Sequence, residues 1–155
     1  MTPPHRRWPR RLARGDDGSA LIEFIGLSIL LLVPLMYLLV TVFAIQRAAF
    51  GVTQAAREAG RAFATAPTAA VGMQRAQVAA DLALEDQGLH HGAALGYGSC
   101  GGGGSPSLAA GARFTVCVRT TAPLPLTARG PLSGAGSVTV NGTYVVSVDA
   151  FRETR

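Results

Sequence analysis

From Phe24 to Ile45 the chain carries no charged side chain. Roughly fifteen of these positions are Leu, Ile, Val or Phe, and at about −0.4 kcal/mol each they favour bilayer insertion by roughly 6 kcal/mol. A helix rising about 1.5 Å per residue needs about twenty residues to cross a hydrocarbon core about 30 Å thick, so the run predicts a transmembrane helix. Gly26 and Pro34 are tolerated there, Pro34 as a kink near the middle. From Gln46 to Ala66 the chain is rich in Ala and Arg and free of proline, which predicts that the helix continues past the membrane. A helix over 19–66 is on the order of 70 Å long. Small residues recur at fourfold spacing in Gly51, Ala55 and Ala59, with Ala56, Gly60 and Ala64 beside them. Such a row lets two helix backbones approach closely, although an alanine-rich composition produces one as well.

Pro67 ends this helix and Thr68 can cap another. Val71, Val78, Leu82 and Leu89 share one face of that second helix, which is the face expected to pack, and Gly88 closes it. Asp81, Glu85 and Asp86 read as a solvated face. The segment 92–106, with Gly101-Gly102-Gly103-Gly104, reads as a flexible loop; without a Gly-Lys-Ser/Thr ending it is not a phosphate loop. Apolar residues then alternate through Phe114, Val116 and Val118, as in a half-buried strand. A proline-rich connection, Pro123 to Pro131, leads to a second alternating run, Val138, Val140, Tyr144, Val146 and Val148. Asn141-Gly142 inside this run is a hairpin signal. A two-residue turn there moves Tyr144, Val146 and Val148 to the other face, whereas one strand keeps all five together, and the single strand is preferred. The expected fold class is α+β: a long N-terminal transmembrane helix, then a small extracytoplasmic domain over 67–155 with one helix and a short antiparallel sheet.

Charge sharpens this picture. The net charge is +5, yet Arg6, Arg7, Arg10, Arg11 and Arg14 all precede the apolar run. That clustering is an orientation signal and not a nucleic-acid footprint: it places the basic leader, residues 1–18, in the cytoplasm and the chain after Ile45 outside. The leader has little to bury and is expected to be disordered. All 14 basic residues are arginine, so lysine-dependent phosphate binding and Schiff-base chemistry are excluded. Arginine, glycine and alanine richness suggests a GC-rich bacterial coding sequence. The two cysteines, Cys100 and Cys117, lie on the outer side, where oxidation is allowed. A bond between them closes a loop of about fifteen residues and contributes roughly 3 kcal/mol. The rival, a metal site with His90 and His91, matches no standard ligand spacing, so neither a metal nor another cofactor is expected. With no nucleophile–base pair in view, neither is an enzyme.

The junction of leader and helix is more specific. Gly18 is followed by four residues, then Glu23 and Phe24, and then the apolar run. An ordinary signal peptide is disfavoured, because the apolar core is too long and the nearest Ala-x-Ala, Ala64-Thr65-Ala66, lies far beyond it. The pattern resembles the type IV prepilin motif, in which a membrane peptidase cuts after the glycine. More closely it resembles the TadE-like family of Tad (Flp) pilus assembly proteins, through Gly18-Ser19-Ala20-Leu21-Ile22-Glu23-Phe24 and Ala55-Ala56-Arg57-Glu58-Ala59-Gly60-Arg61. The likeness covers about residues 16–66 and thins beyond.

The resemblance implies a minor-pilin-like membrane protein, processed between Gly18 and Ser19. Its implied partners are other pilin-like subunits, the assembly machinery and a prepilin peptidase. A carboxylate at the lip of a membrane span is costly unless paired. Cleavage would create an ammonium on Ser19 that Glu23 of the same or a neighbouring chain could pair, and the resemblance implies the neighbour. The plainer reading of Glu23 is a first-turn carboxylate stabilised by the helix dipole, worth under about 1 kcal/mol. The alternative function is an uncleaved single-pass anchor displaying a binding or sensing module at the cell surface.

Overall fold

The computed structural model describes residues 17–101, 103–124 and 136–152. The basic leader before Asp17, Gly102 of the glycine run and most of the proline-rich connection lie outside the described residues. The fold is α+β, with one long apolar helix followed by a small helix-and-sheet domain. The chain divides into two units, Met1–Tyr37 and Leu38–Arg155.

Helix α1 runs from Asp17 to Ala64, 48 residues, with Pro34 inside it. In the first unit it is the only element among the described residues, and its large side chains are exposed, Phe24 at 68 % and Leu30 at 71 %. Its most apolar window has a mean hydropathy of 2.6 with no part buried, so the helix is long and apolar enough to cross a membrane.

In the second unit the upper half of α1 is the spine of the core. Ala48, Val52, Ala55, Ala56, Ala59 and Phe63 follow helical spacing and are wholly buried. The row of small residues is thus used inside this chain. Thr65 ends α1 by bonding back to the Arg61 carbonyl through both its N–H and its hydroxyl. Arg152 then donates to the free carbonyls of Ala64, at 2.7 Å, and Ala66, a cation capping the negative end of the helix.

Helix α2, Ala69–Glu85, starts at the Thr68 cap, whose hydroxyl accepts from the Val71 N–H at 3.4 Å. Its packing departs from the expected face. The buried residues are Gly72, Ala76, Ala80, Ala83 and Leu84, while Val78 is 68 % and Leu82 58 % exposed. The small face of α2 lies inward: a Cβ on Gly72 would come within 2.9 Å of the Phe63 ring, so no larger side chain fits at that point. Leu89 is buried as expected, but from the loop beyond the helix, after the chain turns at Gly88 with φ of 70°.

Strands β1 (Ala94–Tyr97), β2 (Arg113–Pro123) and β3 (Ser137–Ser147) form an antiparallel sheet in the order β1-β2-β3. The even positions of β2, Val116, Val118, Thr120 and Ala122, are buried. Strand β3 is continuous through Asn141-Gly142, which pair with Arg119 and Val118. The hairpin signal is overridden because the glycine serves another need: a Cβ at Gly142 would lie 2.5 Å from the Val52 carbonyl group. Strand and helix backbones meet there.

Candidate functional site

Gly18, Ser19 and Glu23 all lie in the opening turns of α1. Five residues of helix separate Gly18 from Glu23 along the axis by about 7.5 Å. Glu23 is exposed, as are the apolar residues that follow it. At the other end of the apolar stretch Arg47 turns away from it, its guanidinium lying 3.8 Å from where a Cβ on Gly88 would stand. Phe50, one turn beyond Arg47, is 74 % exposed.

The helix-and-sheet domain holds its loops by a few polar clasps. Cys100 and Cys117 are joined by a disulfide with the Cα atoms 5.2 Å apart. Arg119 adds a second tie, its Nη2 donating to the Cys100 carbonyl at 2.6 Å and its Nε to Asn141 at 3.0 Å. Gly104 N–H donates to the Tyr97 carbonyl at 2.8 Å, so the glycine-rich segment is tied at its described ends. Asp81, expected on a solvated face, is instead a clasp: it accepts from the Ala93 N–H at 2.7 Å and from Gln77 at 3.0 Å. Its helical position hides this role, because the partner lies twelve residues on, in a loop the sequence does not place.

Phe63, Tyr97 and Phe114 form an aromatic cluster with centroids 5.0 to 6.2 Å apart. The Tyr97 hydroxyl is buried in it without a hydrogen-bond partner among the described residues. Burial pushes its pKa above the usual tyrosine range, since phenolate cannot be solvated there.

Two grooves flank the exposed side of α1. One, about 420 Å³, lies against β3 and is lined by Arg57, Arg61, Tyr144 and Val145; the Arg57 guanidinium sits 5.7 Å from the Tyr144 ring centre. The other, about 360 Å³, lies against α2 and is lined by Gln54, Leu82 and Asp86. Glu58 lines both. The pairing of Arg57 with Tyr144 spans two elements and leaves no mark in the local pattern.

His90 and His91 are exposed in the loop after α2. Among the described residues no three His, Cys, Asp or Glu side chains gather closely enough to hold a metal ion. Compared with known proteins, the chain matches no family model, no curated protein and no solved structure.

Proposed function

We propose that this chain is a minor-pilin-like subunit of a Tad-type pilus or related secretion system. It is anchored in the bacterial membrane by the apolar half of α1 and processed after Gly18 by a prepilin peptidase. The observation that carries the reading is the spacing of Gly18, Glu23 and Phe24 at the mouth of an exposed apolar helix. Large apolar side chains facing outward all round a helix are stable in lipid and not in water. Arg47 and Phe50 suit the outer boundary of the span, a cation reaching away from hydrocarbon and an aromatic ring at headgroup level. The arginines of the leader favour a cytoplasmic N-terminus and an extracytoplasmic domain. In this reading Glu23 pairs with the new Ser19 ammonium of a neighbouring subunit and sets the register between them.

The test is the N-terminal mass of the protein recovered from native membranes. A chain beginning at Ser19 supports processing. An intact leader removes the pilin-like reading and leaves an anchored display module. Glu23→Ala should lower incorporation into filaments without lowering membrane content, and unchanged incorporation would refute the register role.

A further inference from the structure

Strand β3 and the upper half of α1 run side by side in the same direction. Gly142 meets the Val52 carbonyl group, the Arg57 guanidinium sits 5.7 Å from the Tyr144 ring centre, and the Val146 side chain closes on Gly60. From Gly142 to Val146 the strand rises about 13 Å, and from Val52 to Gly60 the helix rises about 12 Å, so the two keep pace. The same pace carried downward sets Val138, with its partner Ala122, level with Ala44 of the apolar run. The next pair, in which the Leu124 N–H donates to the Gly136 carbonyl at 3.0 Å, comes level with Val40. Burial agrees with this placement. Ala122 is buried, and Thr41, Ala44 and Ile45 are half-buried on the α1 face that Ala48 and Val52 continue, while Val42 and Phe43 are exposed. Charge also stops at one height on both elements. Arg47 is the first charged residue above the apolar run, and Arg119, paired with Asn141 beside the Val52 contact, is the last one down the ladder. Residues 120–124 and 136–140 carry none.

We propose that this end of the β2–β3 ladder is a second membrane contact, seated among the phospholipid headgroups and upper acyl chains of the leaflet that α1 leaves at Arg47. The inference rests on the membrane anchorage proposed above and is independent of cleavage after Gly18. Lipid is the occupant because the ladder end continues the apolar surface of α1 at the height where lipid surrounds that helix. Its exposed side chains, Thr121, Pro123 and Ser137, are small and uncharged, so the loss of bulk water around them costs little. The backbone groups between β2 and β3 are paired, which removes the main penalty of bringing a strand into the interface. Strand β3 is the edge of the sheet, so its outward backbone groups still need headgroups or water, and this limits the depth of the seat. A contact beside α1, added to the helix itself, holds the domain at one height and one rotation against the bilayer.

The test is fluorescence quenching of the full chain in phosphatidylcholine vesicles whose acyl chains carry bromine, with one tryptophan per variant. Trp8→Phe removes the native one. In that background Ser137→Trp and Thr121→Trp, at exposed positions on neighbouring strands, should each lose emission relative to unbrominated vesicles, most strongly with bromine near the headgroups. Ser147→Trp, about 33 Å further along β3, should lose none. Val33→Trp, within the apolar run, should be quenched most by bromine deep in the chains. The two reporters are independent, so the reading survives if one substitution disturbs the ladder. Quenching at either of them, with Ser147→Trp unquenched, supports the contact. Both indifferent to bromine while Val33→Trp is quenched would overturn it and leave the anchorage standing, and a protein covering the ladder end gives that same result. Ser147→Trp quenched as strongly as Ser137→Trp would overturn it as well, because the domain would then lie flat on the bilayer. An unquenched Val33→Trp removes the anchorage itself, and the contact with it.

Discussion

Gly142→Ala probes a close approach of strand and helix backbones in the helix-and-sheet domain. The added Cβ would stand 2.5 Å from the carbonyl carbon and oxygen of Val52 and 2.7 Å from the Thr53 nitrogen. These are backbone atoms held in the α1 hydrogen-bond ladder, so no side chain can swing aside, and β3 must lift off the helix. Overpacking of this kind costs typically 1–3 kcal/mol, and rigid neighbours put the cost near about 3 kcal/mol. Alanine also narrows the unfolded ensemble, which returns about 0.5–1 kcal/mol and leaves a net loss of about 2 kcal/mol. For a domain of roughly a hundred residues that lowers the melting temperature by about 8 °C or more. Calorimetry of the full chain in detergent reads the shift. Gly101→Ala, with nothing within 4 Å of its Cβ, is the matched control and should melt unchanged. Asn141→Thr separates the two readings of this stretch. In a continuous strand the β-branched residue costs only the exposed hydrogen bond from Arg119, about 1 kcal/mol, whereas a two-residue turn would be strained further by it. A Gly142→Ala chain melting within about 2 °C of the original would refute the packing of β3 on Val52.

Four further outcomes follow from the clasps and the aromatic cluster. Tyr97→Phe removes a buried hydroxyl without a partner and should stabilise the domain by about 1 kcal/mol in a denaturant titration. With Tyr97 intact, the unfolded chain loses the phenolic proton before the folded one does. Stability should therefore fall as pH rises from about 10, and a melting series across that range should show Tyr97→Phe losing less. Reducing the Cys100–Cys117 bond, or replacing both residues by serine, should cost about 2–4 kcal/mol and speed hydrogen exchange in β1 and the loop after it. Arg152→Ala leaves the Ala64 and Ala66 carbonyls without their cation and should cost about 1–2 kcal/mol, with Arg152→Lys recovering part of it on thermal melting.

The sequence by itself determined the features that depend on neighbours along the chain. An uninterrupted apolar run of helical length, the Pro67-Thr68 stop and cap, and the alternation around Val116 and Val146 are local patterns, and the structure carries each of them. The spacing of Gly18, Ser19 and Glu23 is local in the same way, while their processing role is a proposal. What only the tertiary structure decided is which surfaces meet. Helical periodicity cannot tell a face of alanines from a face of valine and leucine when the opposing helix is itself lined with Ala48, Ala55 and Ala59, and close approach selected the small face. That choice left Val78 and Leu82 facing outward, Leu82 beside Asp86. The roles of Asp81, Arg57 and Arg152 were equally hidden, because each is set by a partner distant in sequence. Gly142 carries a strong local turn signal and lies within a strand, because the backbone of a helix ninety residues earlier occupies the space where a side chain would go. Local pattern fixes periodicity and punctuation; steric exclusion between distant segments fixes which face is inside.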